Sequence, residues 1–198
     1  MEIREHWLAG CRQLKSPNCN DRPFDTDISL LVIHGISLPP GQYGGPYIDQ
    51  LFCNSLSPTE HPYFKNICHL EVSSHLLIQR DGQVTQYVPF NKRAWHAGLS
   101  RYGDRENCND FSIGLELEGE DDTPYELAQY QQLAKVSALL MATYPSIRHH
   151  SEVNQKIETM THSRIDAAHI VGHCDIAPGR KTDPGPSFDW DYYQELMA

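Results

Sequence analysis

One loop, Val171-Gly172-His173-Cys174-Asp175-Ile176-Ala177-Pro178-Gly179-Arg180-Lys181-Thr182-Asp183-Pro184-Gly185, brings an imidazole, an ammonium and a carboxylate together. Neutral imidazole and carboxylate oxygen are both good zinc ligands, and a catalytic zinc takes three protein ligands while keeping a further position for water. His173 and Asp183 offer two, and Pro178-Gly179 and Pro184-Gly185 set the loop's course so that side chains separated along it can converge. The third can come from His34. It stands where a β-branched and leucine-rich run, residues 28–33, gives way to Pro39-Pro40-Gly41 and Gly44-Gly45-Pro46. That is the mouth of a buried strand, where open α/β sheets place their ligands. Two histidines and a carboxylate suit a hydrolytic zinc centre, whereas structural sites bring four ligands rich in cysteine. Eleven histidines in 198 residues also offer many accidental pairs, so type and spacing leave a packing role open for each.

Hydrolysis also needs a base. Residues 111–118 alternate Phe111, Ile113, Leu115 and Leu117 with Ser112, Gly114, Glu116 and Glu118, the period of a strand with one core face. Its other face carries two carboxylates. A carboxylate aimed from a strand into a pocket is a candidate general base, but alternation alone neither separates Glu116 from Glu118 nor excludes that both face water.

Further elements must hold these groups in place. Residues 167–171 read as a second buried strand, and residues 71–80 and 83–88, joined by Asp81-Gly82, as a hairpin. Ala94-Trp95-His96-Ala97-Gly98 sets an aromatic ring and an imidazole beside small residues that let a ligand approach the backbone. Ile48, Leu51 and Phe52 predict a short helix, followed by a polar loop holding Tyr63. Thr123-Pro124-Tyr125-Glu126 reads as a capping box that starts a helix, with Leu127, Tyr130, Ala134, Ser137, Met141 and Tyr144 as its packed face and Pro145 as its end. Phe188, Trp190, Tyr193 and Leu196 predict one side of a C-terminal helix. Residues 145–167 show no period, and His149, His150 and His162 within them read as solvated.

Composition bounds the rest. With 39% apolar residues, the chain can bury one core, so a single domain is expected over residues 28–198, with residues 1–27 an arm packed on it. A formal charge of −10 argues against nucleic acid and anionic membranes, both of which demand a basic face. It leaves room for an anionic small ligand met by local cations among Lys92, Arg93, Arg101, Arg105, Arg180 and Lys181. No apolar run reaches the roughly twenty residues of a spanning helix, and Met1-Glu2-Ile3-Arg4-Glu5-His6 lacks the pattern of a signal peptide. The six cysteines form no CxxC pair and are expected to be reduced thiols in the cytoplasm.

The runs Leu31-Val32-Ile33-His34, Ile36-Ser37-Leu38-Pro39-Pro40-Gly41, Tyr87-Val88-Pro89-Phe90, Arg93-Ala94-Trp95-His96-Ala97-Gly98, Cys108-Asn109-Asp110-Phe111-Ser112-Ile113-Gly114, Glu116-Leu117-Glu118-Gly119 and residues 172–186 closely resemble the AmpD family. These are cytoplasmic 1,6-anhydro-N-acetylmuramyl-L-alanine amidases of bacterial cell-wall recycling, and the likeness covers nearly the whole chain. More distant kinship with phage T7 lysozyme and the peptidoglycan recognition proteins implies an α+β fold, a central mixed β-sheet flanked by helices. The resemblance implies that His34, His173 and Asp183 bind Zn2+, that Glu116 is the general base and that Lys181 stabilises the transition state. It further implies that Trp95 and His96 line the groove for the anhydro-muropeptide, with Tyr63 near the metal and Arg105 a contact for a substrate carboxylate. No obligate protein partner is implied.

Departures and alternatives frame these expectations. Family members often carry asparagine after the first zinc histidine and arginine at the positions of Glu71 and Asn107, whereas this chain has Gly35, Glu71 and Asn107. Other cations then meet the stem-peptide carboxylates, or the peptide is held less tightly. A muropeptide sensor of the same fold is the alternative function, though such relatives generally lose a zinc ligand. An extracellular amidase lacks its signal peptide here. A cysteine hydrolase is disfavoured if Cys174 follows His173 along a strand, because adjacent residues then point to opposite faces.

Overall fold

Near-continuous apolar runs need cover on both faces, which parallel strands under helices and loops provide. In the computed structural model, which describes residues 1–147 and 169–198, the strands are β1 (Glu2–Arg4), β2 (Trp7–Ala9), β3 (Arg12–Gln13), β4 (Cys19–Asp21), β5 (Leu30–Ile36), β6 (Leu76–Ile78), β7 (Val84–Gln86), β8 (Lys92–Ala94), β9 (Arg101–Tyr102), β10 (Arg105–Glu106), β11 (Ser112–Glu118) and β12 (Ile170–Gly172). Helices α1 (Tyr47–Phe52) and α2 (Leu127–Thr143), a short helix His173–Ile176 and the C-terminal helix Trp190–Met197 complete the main elements.

The central six-stranded sheet runs β12-β5-β11-β6-β7-β3. Strands β12, β5, β11 and β6 are parallel, while β6 and β7 form the expected antiparallel hairpin, with shorter strands than the sequence suggested. The sheet is therefore mixed. One face, with Leu31, Ile33, Ile113, Leu115 and Leu117, packs on Leu133, Val136 and Leu140 of α2 in the main core. Leu30 and Val32 face the other way, toward Ala97, Cys108 and Ile176. Phe111 joins this second cluster rather than the face of Ile113, because β11 begins only at Ser112.

Register places the chemistry. β5 extends three residues beyond the expected run, so His34 lies inside the strand, directly opposite Glu116 of β11. Gly172 lies opposite Ile33, so His173 follows just past the end of β12. The carboxyl ends of three adjacent parallel strands thus meet at one edge, where the chain leaves β5 toward β6 on one side and crosses from β11 to β12 on the other.

Four further expectations change. The arm does more than pack on the domain: β3 pairs in parallel with β7, and β4 pairs with β8. Arg22 fastens it by donating to the carbonyls of Phe90, Asn109, Asp110 and Ser112. Helix α2 starts at Leu127, not at Thr123-Pro124, because Thr123 bridges Glu120 and the hydroxyl of buried Tyr125 donates to the Pro184 carbonyl. Gln129 then secures the helix start, accepting from the Glu126 amide and donating to the carbonyls of Ile78 and Glu118. The packed face keeps Tyr130, Ala134 and Ser137, with Met141 and Tyr144 half-buried against the core, but turns toward Leu133, Val136 and Leu140, leaving Leu127 64% exposed. In the C-terminal helix Tyr193 is buried while Leu196 is 37% exposed. Most of residues 145–167, with His149, His150 and His162, lie outside the described residues.

Candidate metal centre and groove

His34, His173 and Asp183 converge. Nδ1 of His34 lies 3.0 Å from Nδ1 of His173 and 3.2 Å from Oδ2 of Asp183, and the third side, His173 Nδ1 to Asp183 Oδ2, is 3.0 Å. The short helix His173–Ile176 turns the chain straight after β12, and the Cys174 amide donates to the Asp183 carbonyl, closing the loop on itself. Both histidines are buried, at 2% and 3% exposure. Burial pulls the His34 imidazole down to about 4, although the bond to Asp183 opposes this. Burial opposes ionisation of Asp183, yet hydrogen bonding to His173 and His34 holds its carboxyl well below the ordinary carboxylate range.

The donor set fits a cation. Nε2 of His173 faces the Ala97 carbonyl at 3.3 Å, which only accepts, so that nitrogen carries the ring proton and Nδ1 presents a lone pair. A lone pair there, another on His34 and a charged carboxylate oxygen form a triangle in which one added proton relieves a single contact. A cation at its centre relieves all three. Two imidazole nitrogens and one carboxylate oxygen form the ligand chemistry of a catalytic zinc.

Around the triangle runs a groove of about 750 Å³, within the range of small-ligand sites. Glu116, Lys181, Tyr63, Trp95 and His96 line it. Burial pushes the Glu116 carboxyl well above its ordinary range, the Asp183 charge adds to this and Lys181 opposes it. Glu118 serves otherwise: it is buried and accepts from the amides of Gly44 and Arg80 at 2.6 and 3.2 Å. Neither glutamate of β11 is exposed: Glu116 is buried on the floor of the groove and Glu118 beneath the amides of Gly44 and Arg80.

Some expectations fall elsewhere. Arg105 is not among the groove residues; its guanidinium stacks 3.6 Å over the Phe111 ring and donates to Ser29. Glu71 is exposed and outside the groove, and Asn107 is in the left-handed region at φ 58, which asparagine tolerates. At Gly35, an added Cβ would lie 2.4 Å from the Tyr125 hydroxyl, so tyrosine fills the space that an asparagine side chain would need. Cys174 lies in a helix, not a strand, which removes the alternation argument, but burial pushes its thiol up to about 11. A protonated thiol outside the groove is no nucleophile.

Sequence reasoning missed several contributors. Asn109 Oδ1 accepts from the amides of His96 and Ala97, and Glu120, Asp121 and Asp122 give the groove an acidic lining. Arg180, expected only as a local cation, donates to the carbonyls of Ala97 and Leu99. Only the Ser112, Gly114, Glu116 alternation carried a usable signal for this region.

A fold and site of this kind belong to amidases that act on muramyl peptides. A profile of N-acetylmuramoyl-L-alanine amidases matches residues 24–186, and the chain belongs to that family. Within it, the chain is 53% identical over 198 residues to 1,6-anhydro-N-acetylmuramyl-L-alanine amidase AmpD of Citrobacter freundii, covering 100% of this chain and 96% of the relative. The crystal structure of a selenomethionine AmpD derivative superposes with a TM-score of 0.87 at 52% identity, covering 100% of both chains. The amidase AmiD of Escherichia coli, solved with the substrate anhydro-N-acetylmuramic acid-L-Ala-D-γ-Glu-L-Lys, superposes with a TM-score of 0.56 at 26% identity, over 89% of this chain and 60% of AmiD.

Proposed function

We propose that this protein is a zinc-dependent 1,6-anhydro-N-acetylmuramyl-L-alanine amidase, which hydrolyses the amide between anhydro-muramic acid and L-alanine of the stem peptide in cytoplasmic peptidoglycan recycling. The observation that carries this is the convergence of His34, His173 and Asp183 beside Glu116, in a chain 53% identical to AmpD over its full length. The six cysteines are all free, in keeping with a reducing compartment. Among the described residues no helix is long and apolar enough to cross a membrane.

His34, His173 and Asp183 would hold the zinc, which would supply Lewis acidity toward the scissile carbonyl and the attacking water. Glu116 takes that proton as water attacks the carbonyl, then passes it to the departing amine of L-alanine. Its burial raises its affinity for a proton, which favours taking one from the attacking water before handing it to the amine. Lys181, on the rim of the same groove, places its ammonium against the negative charge that builds on the carbonyl oxygen. Trp95 and Tyr63 supply flat walls for the sugar and peptide.

Mass spectrometry of purified protein incubated with anhydro-muramyl tripeptide, with and without a chelator, tests this reading when metal content is measured on the same sample. Free tripeptide plus anhydro-sugar, lost on chelation and restored by zinc, is the expected result. Tight binding of the intact fragment by zinc-loaded protein, with no cleavage, would make it a sensor instead.

A further inference from the structure

Each histidine of the proposed centre presents its second ring nitrogen to a partner, and the two partners differ in kind. His173 uses the Ala97 carbonyl, the ordinary arrangement for a metal-ligating imidazole. His34 uses another imidazole: its Nε2 lies 2.9 Å from Nδ1 of His96, and Nε2 of His96 lies 3.1 Å from the Ser112 hydroxyl. Two neutral rings share such a contact only when one donates and the other accepts.

We propose that His96 is a positioning residue for the metal centre, accepting the Nε2 proton of His34 at Nδ1 while Ser112 holds it in the tautomer that makes this possible. The inference rests on the zinc reading above. Nδ1 of His34 is the nitrogen turned toward His173 and Asp183, so a neutral, ligating His34 carries its proton on Nε2. That makes His34 the donor and Nδ1 of His96 the acceptor. The proton of His96 then sits on Nε2, facing Ser112.

The surroundings are built for this ring. The His96 amide donates to Asn109 Oδ1 at 3.0 Å, which fixes the backbone. Gly114 makes room below: a Cβ there would lie 2.5 Å from Cγ of His96. Ser112, Gly114 and Glu116 alternate along β11, so one strand face supplies the tautomer anchor, the floor under the ring and the carboxylate. His96 does line the groove, but both of its nitrogens are engaged, leaving a substrate only ring carbons.

Competition with a chromophoric zinc chelator reads the effect directly. His96→Phe is expected to lose about 10–100-fold in zinc affinity, the usual cost of removing such an outer partner. His96→Asn, whose amide oxygen falls near the position of Nδ1, should recover most of it. Long-range ¹H–¹⁵N correlation spectra of zinc-loaded wild type should show His96 as the Nε2–H tautomer, a readout that needs no variant to fold. Unchanged zinc affinity in His96→Phe with a raised KM would make His96 a substrate wall and overturn the proposal, as would an Nδ1–H tautomer. A wild-type protein that binds no zinc would overturn the metal reading itself.

Discussion

Two glutamates spaced for the same strand face have been given opposite work by their neighbours. Glu118 is spent on the amides of Gly44 and Arg80, whereas Glu116 opens on the groove beside a charged Asp183 and an ammonium. Glu116→Ala is therefore expected to keep its zinc and its thermal midpoint while losing roughly two to four orders of magnitude in kcat, the share of a general base. Glu118→Ala should do the reverse, removing the acceptor of the amides of exposed Gly44 and half-buried Arg80 at about 0.5–1.5 kcal/mol each with turnover nearly intact. Steady-state rates and melting curves on both variants separate the roles; near-normal kcat in Glu116→Ala would refute the assignment. The choice between these residues was not legible from alternation, because alternation reports a face and not what covers it.

At the level of elements, the junction between β5 and the loop after Asp183 depends on a fit between glycine and tyrosine. Tyr125 reaches from the segment before α2, donates to the Pro184 carbonyl at 2.9 Å, and passes so close to Gly35 and Gly119 that a Cβ at either would lie 2.4 Å from it. Gly35→Ala is expected to cost about 1–3 kcal/mol through overpacking, and Tyr125→Phe, which removes the hydroxyl the Cβ meets, should recover part of that loss. A double-mutant cycle in denaturant measures the coupling; purely additive losses would show that the two do not meet. The same contact explains why α2 begins later than its capping signature predicts. Residues 123–126 satisfy a local helix-start pattern, but a tertiary hydrogen bond from Tyr125 holds them outside the helix.

Across the whole molecule, acid sensitivity should trace in part to a histidine outside the proposed ligand set. His75 is fully buried, receives the Gly114 amide at Nδ1 and meets Arg22 at Nε2. Burial, with the Arg22 charge adding to it, pulls its pKa from 6.5 down to about 3. The unfolded chain takes up this proton near 6.5 and the folded chain only near 3, so between those values the unfolded state binds more protons and stability rises with pH. The contribution is present above 6.5 and is lost as pH falls toward 3. His75→Gln should flatten the dependence of the urea midpoint on pH across that window; an unchanged slope would place the sensitivity elsewhere. The sequence by itself determined the buried strand leading to His34, the hairpin at Asp81-Gly82 and the candidate residues His34, His173, Asp183, Glu116 and Glu118, because hydrophobic period, turn chemistry and residue type are written in local residue order, whereas the α+β class and the choice among those candidates rested on the resemblance to the AmpD family. Tertiary structure alone decided that β3 of the arm joins the central sheet, that Arg105 stacks on Phe111 away from the groove, that Tyr125 occupies the space beside Gly35, and that His96 touches His34. Those outcomes depend on contacts between residues far apart in the chain, and local periodicity carries no information about which distant side chain fills a given space.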